Sequence, residues 1–116
     1  MRVILFVDWY PNRFAPLNGI FVRRHARAIS LLHEVGVVKV YGDPDLSAGC
    51  SVEVSRENGF AEIYAVFRKS SLPVFGPLFN AWRFYKAWRS GIAAYRREIG
   101  EPEAVHGYIL PRGAVQ

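Results

Sequence analysis

An apolar run, Val3–Val7, is followed by a loop punctuated by Pro11, Pro16 and two asparagines, and then by an amphipathic stretch opening just past Gly19. This order limits the possible folds more than any other feature of the chain. A Val- and Ile-rich run that is apolar almost throughout reads as a strand buried on both faces, which belongs in a parallel sheet. Asn18 is placed to cap the following helix, and Gly19 permits a close approach to the backbone. The helix is expected from about Ile20 to His33. At 100° per residue, Val22, His25, Ala26, Ile29 and Leu32 share one face, and Arg23, Arg24 and Arg27 lie on the other. Gly36 reads as the stop signal and Val37–Tyr41 as the next strand. Strand, helix and strand in this sequence form a βαβ unit with a right-handed crossover.

The rest of the chain continues the alternation. Gly42–Gly49 is turn-rich, and Asn58-Gly59 is a hairpin signal between two short strands, Ser51–Ser55 and Glu62–Arg68. Pro73 and Pro77 bracket a loop before a long helix, about Leu78 to Ile99. Its expected apolar face is Leu78, Trp82, Tyr85, Trp88, Ile92, Tyr95 and Ile99. Gly100 and Pro102 end it, and Ala104–Tyr108 is a further strand. The expected architecture is one α/β domain over residues 1–116, a Rossmann-like three-layer parallel sheet with helices on both faces. The chain stops where a helix past Gly113 should be starting, so it is expected to be part of a longer protein. A sheet of this kind leaves an edge unpaired, and self-association is expected to cover it.

Composition narrows the function. The 116 residues suffice for one small domain, and 51% are hydrophobic, which excludes a disordered chain. Val3–Val7 is too short to span a bilayer and lacks the flanks of a secretory leader, so the expected location is the cytoplasm. Cys50 is the single cysteine, which leaves no internal disulfide and no thiolate metal site. Fifteen Lys and Arg against ten Asp and Glu give a net charge of +5, which suits an anionic partner as well as it suits solubility. Nucleic acid is not the expected partner, because the arginines spread over two helices and no nucleic-acid motif is present.

The loop before the first helix is a candidate anion site. The first N–H groups of a helix lack internal partners, and an anion there also gains from the helix dipole. Asn18, Gly19 and Arg23 are the candidate contacts; an ordinary loop glycine and a solvated arginine face are the competing readings. His25 is expected to be packed in the core, and His33 to close the helix. His106 and Tyr108 are candidate site residues, two apart on one face of the last strand, near the edge where ligands gather in open α/β sheets. A histidine there can take or give a proton near neutral pH. On the second helix, Phe79, Arg83, Lys86 and Arg97 form an aromatic and basic strip. It is read as an ordinary exposed face, as a membrane contact in which the ring enters the headgroup zone, or as a surface for single-stranded nucleic acid held by stacking and phosphate contacts.

Together these residues resemble a known family. Trp9-Tyr10-Pro11, followed by Asn18-Gly19-Ile20-Phe21-Val22-Arg23 and His25-Ala26, is similar to the opening of family 4 glycosyltransferases of the GT-B fold. Val105-His106-Gly107-Tyr108, with Pro111 and Gly113, resembles their later strand and loop. The resemblance covers the first part of the N-terminal, acceptor-binding domain. It implies retaining transfer of a sugar from a nucleotide-diphosphate donor to a hydroxyl of a sugar or lipid-linked acceptor, as in cell-surface polysaccharide or glycolipid synthesis. It implies the donor as substrate and no metal or other cofactor. Gly19 would face the donor diphosphate, and Pro111 and Gly113 would shape the loop beneath the acceptor. His106 matches the first histidine of the family's H-x-H pattern, and Tyr108 stands in place of the second. The paired-glutamate donor motif belongs to a C-terminal domain outside this chain, so the chain alone is expected to be inactive. A non-catalytic nucleotide-binding or flavodoxin-like module and a basic nucleic-acid-binding domain are the alternatives.

Overall fold

The computed structural model describes residues 1–7, 10–11, 14, 19–46, 49–69 and 76–108. Along the chain these form β1 (Arg2–Val7), α1 (Ile20–Ser30), β2 (Glu34–Asp43), β3 (Cys50–Ser55), β4 (Ala61–Arg68), α2 (Gly76–Glu98) and β5 (Ala104–Tyr108). The strands join in one sheet with the order β3-β4-β2-β1-β5. β1 runs parallel to β2 and to β5, and β2 runs parallel to β4. β3 pairs antiparallel with β4. The sheet is therefore mixed, not parallel throughout, because the short 56–60 connection between β3 and β4 permits only a hairpin. Gly59, with φ 88, supplies the left-handed residue of that turn.

Alternation along the strands sends side chains to two faces, each covered by one helix. On one face Val22 and Ala26 of α1 pack with Val3, Leu5, Val7, Val35 and Val37. On the other, Ala87, Ala94 and Tyr95 of α2 pack with Ile4, Val38, Val40, Ile63 and Ala65. Two layers of helix enclose a sheet whose central strands are apolar on both sides, which is why Val3–Val7 could be recognised from its composition alone.

Several expectations need correction. α1 ends at Ser30, so Leu32, at 82% exposure, and His33 fall beyond it. His25 is exposed, its ring set edge-on to Phe21. Both corrections follow from the narrowness of the stripe through which α1 meets the sheet, about one buried residue per turn. Gly36 is not a stop signal but a residue inside β2. A Cβ there would lie 2.5 Å from Cε2 of Tyr95 and 2.9 Å from Cδ1 of Ile99. The anticipated apolar face of α2 holds only in its later turns, where Tyr95 is buried and Trp88 and Ile92, with Ile99 just beyond, pack against the core. Trp82 is 60% exposed and Leu78 70%, while Ala87, Gly91, Ala94 and Tyr95 meet the sheet. Small residues decide this, since a Cβ at Gly91 would already come within 2.8 Å of Val38. A helix can approach a sheet closely only along such a stripe. Among the described residues no helix is long and apolar enough to cross a membrane.

Candidate functional site

β1 and β5 lie side by side in register, Val7 beside Tyr108 and Leu5 beside His106. α1 returns antiparallel to β1, since the Glu34 N–H that follows it donates to the Met1 carbonyl at 2.9 Å. The start of α1 therefore stands at the carboxyl edge of the sheet. Strand order reverses between β1 and β5, because one crossover leads from β1 to β2 and the other from β4 over to the far side of β1.

Gly19 is itself the N-cap of α1, with φ 63 and ψ 27, a left-handed conformation that glycine adopts without strain. Asn18 was expected in that role; it lies outside the described residues, as do Asp8, Trp9, Pro111 and Gly113. Among the described residues no side chain caps the helix start, and the first turn holds no acidic residue. The Gly19 carbonyl accepts from the Val22 N–H at 2.9 Å.

Arg24 and Arg27 are exposed, as expected, but Arg23 is not on a solvated face. Its Nε donates to Oε2 of Glu62 at 2.8 Å, and its Nη2 donates to the Tyr64 hydroxyl at 3.1 Å. Glu62 sits on β4 with its side chain 2% exposed, inside a strand that is otherwise apolar or aromatic as far as its last residue, Arg68. Tyr10 donates its hydroxyl to the same Oε2, and Asn58 Nδ2 donates to Oε1 at 2.5 Å. The Tyr64 hydroxyl donates to the Pro11 carbonyl at 3.1 Å. Both carboxylate oxygens are thus satisfied, and the buried charge is paired, as burial demands. The network ties β4 to Tyr10, to Pro11 and to the first turn of α1, fixing two points of the β1–α1 connection and its end. Around it, Tyr41 sets its ring edge-on to Tyr64 and to Phe14. Its place at the helix start put Arg23 near an anion, and nothing in the spacing linked it to Glu62. The one available signal was an acidic residue in an apolar strand, which needs a cation close by.

Register places the candidate residues in rows. Glu62, Val37, Leu5 and His106 form one, and Tyr64, Lys39, Val7 and Tyr108 the next toward the carboxyl edge. Parallel partners share a face, so His106, beside Leu5, lies on the α1 side. Three strand steps separate β5 from β4, about 14 Å, so His106 and Glu62 stand at opposite ends of their row. His106 is mid-strand and exposed, and the Tyr108 side chain lies outside the described residues. The sheet therefore carries Tyr108 to the carboxyl edge at which α1 begins, keeps His106 one row short of it, and leaves Arg23 committed to Glu62. His33 keeps its Nδ1 buried without a hydrogen-bond partner among the described residues, on the opposite edge of the sheet. No group of three or more His, Cys, Asp or Glu among the described residues is placed to hold a metal.

Burial, and then the adjoining Glu62 carboxylate, push the Tyr10 hydroxyl well above its ordinary range, and Tyr64 is raised for the same reasons. Burial pushes Tyr95 up to about 12. These phenols stay protonated in the folded state where the unfolded chain loses its protons, near pH ~10. The unfolded state then binds fewer protons, so stability falls as pH rises. Urea unfolding between neutral pH and pH ~11 should show a decline beginning near pH ~10, with up to about 1.4 kcal/mol per pH unit from each of Tyr10 and Tyr95. A flat profile across that window would contradict the burial of these hydroxyls.

Compared with known proteins, the chain matches no family model, no curated protein and no solved structure.

Proposed function

We propose that this chain is the acceptor-side, Rossmann-like part of a retaining GT-B glycosyltransferase that uses a nucleotide-diphosphate sugar. One observation carries the reading: the carboxyl ends of β1 and β5 adjoin at the point where strand order reverses, and α1 opens there through a left-handed glycine. Ligands of open α/β sheets bind in such a crevice. The open N–H groups of the first turn of α1 would meet the donor diphosphate and stabilise the charge that builds on it as the sugar departs. Arg23 shares its charge with Glu62, so its first duty is to brace the helix start. Asn18, beside Gly19, would complete the anion contact. His106 and Tyr108 would receive the acceptor, His106 as an imidazole able to hold a hydroxyl proton and Tyr108 as a hydrogen-bonding phenol. The second domain would supply the donor motif, and sugar transfer by this chain alone is expected to be nil.

The test is an amide NMR titration of the chain with inorganic pyrophosphate and with a nucleoside diphosphate. The expected result is a saturable shift of the Ile20, Phe21 and Val22 amides, with the His106 ring responding to glycan acceptors. Gly19→Val should abolish the first response, because a branched side chain is strained at this φ and would crowd the approach to the backbone. Shifts confined to α2, or a Gly19→Val variant that is folded and responds fully, would refute the reading.

A further inference from the structure

The outward strip of α2 is an unused surface of unusual composition. Leu78, Phe79, Trp82 and Tyr85 are exposed to between 47% and 70%. They lie on the side opposite Ala87, Gly91 and Ala94, which meet the sheet. Each ring has a cation beside it: Arg83 is 6.0 Å from the Phe79 ring centre, Lys86 6.0 Å from that of Trp82 and Arg89 5.9 Å from that of Tyr85. From Gly76 to Arg97 the helix contains five basic residues and not one acidic residue. Beside the strip, Phe79, Trp82, Arg83 and Lys86 line a groove of about 330 Å³ together with Gly49 and Cys50 at the margin of β3.

We infer that this face of α2 is a docking surface for an anionic phospholipid bilayer. The helix would lie in the plane of the interface, with Leu78, Phe79, Trp82 and Tyr85 entering the headgroup boundary and Lys86 and Arg89 meeting lipid phosphates. Two features of the strip select this occupant. Aromatic rings with an apolar body and a polar edge, as in Trp and Tyr, favour the boundary between water and lipid. Cations set at the sides of those rings complement a negative surface and would repel a second copy of the same strip. α2 forms the outer layer of the sandwich, so the strip can reach a flat surface without disturbing the sheet. The inference is independent of the glycosyl-transfer reading, which uses the β1–β5 edge.

The test is co-sedimentation of the chain with vesicles of phosphatidylglycerol and phosphatidylcholine, against vesicles of phosphatidylcholine alone. Binding to the anionic vesicles is expected, with a blue shift of tryptophan emission and a steep loss as salt rises. Two paired variants separate the contributions: Lys86→Glu with Arg89→Glu, and Trp82→Ser with Tyr85→Ser. Each should reduce binding about tenfold or more while leaving the far-ultraviolet circular dichroism unchanged, since all four side chains point outward. Equal pelleting with neutral vesicles, no pelleting at low salt, or variants that bind like the parent would overturn the proposal. So would a dimer by light scattering that Trp82→Ser dissolves, which would assign the strip to a second copy. Displacement from vesicles by soluble glycerol phosphate would assign the groove to a small phosphate and would equally defeat it.

Discussion

Glu62→Ala should cost about 3–5 kcal/mol of folding stability, the range for removing one partner of a buried ion pair. The carboxylate receives Tyr10, Arg23 and Asn58 at once, and no other acceptor in the described network can replace it. Its loss would leave the charge of Arg23, whose side chain is only 29% exposed, without its carboxylate and would remove the acceptor of the buried Tyr10 hydroxyl. A domain of this size has roughly 5–15 kcal/mol in total, so the variant should be close to unfolding at physiological temperature. Glu62→Gln keeps the volume and one acceptor oxygen but drops the charge, and should fall between the two. The decisive comparison is a cycle with Arg23→Met. If the two groups are coupled as the 2.8 Å bond requires, Arg23→Met should cost far less in the Glu62→Ala background than in the parent. Additive losses in urea denaturation would mean that the pair contributes nothing as a pair. The same variant reports on function: once β4 no longer holds Tyr10 and the first turn of α1, the response of the Ile20, Phe21 and Val22 amides to pyrophosphate should weaken as well. That loss would identify Glu62 as a positioning residue, because it touches no part of the proposed ligand.

Gly36→Ala should cost about 2–3 kcal/mol through overpacking, a large effect for one methyl group on the flat interior of a strand. The added carbon would collide with the Tyr95 ring and with Ile99, both held between α2 and the sheet. The end of the Ile99 side chain can give way, but the two nearest atoms belong to the buried Tyr95 ring, so the helix must move or the ring must leave its rotamer. Tyr95 gives the complementary measurement. Its hydroxyl is buried without a hydrogen-bond partner among the described residues, so Tyr95→Phe should be neutral or mildly stabilising. Tyr95→Leu leaves space beside Gly36 and should cost about 2 kcal/mol or more alone. Gly36→Ala placed in that background should then be nearly free. Should Gly36→Ala prove harmless in the parent, the close approach of α2 to β2 would be wrong.

The elements themselves were legible wherever the signal is local. Val3–Val7, the hairpin at Asn58-Gly59 and Ala104–Tyr108 were each readable from periodicity and turn residues, and their bounds differ from the observed ones by a residue or so. Helix faces were less legible. For α2 the large aromatic residues at helical spacing predicted an inward face, whereas the sheet took the stripe of Ala87, Gly91 and Ala94. Hydrophobic spacing reports which residues share a face, but how closely two layers can approach depends on volume at the contact. The site divided in the same way. Gly19 at the mouth of a βαβ loop is a feature of the sequence, because the loop joins neighbouring elements. The partnership of Arg23 with Glu62 joins residues 39 positions apart and exists only once β4 lies beside β2.

The amino-acid order by itself determined that this chain alternates strand and helix, and that its opening strand is buried on both faces. Tertiary structure alone decided that β5 lies beside β1, that one arginine is committed to a buried carboxylate, and that the aromatic strip of α2 faces outward. The reason is physical. Backbone propensity and periodicity act over a few residues, whereas pairing of charges and the fit of volumes are settled between surfaces that meet only when the sheet is complete.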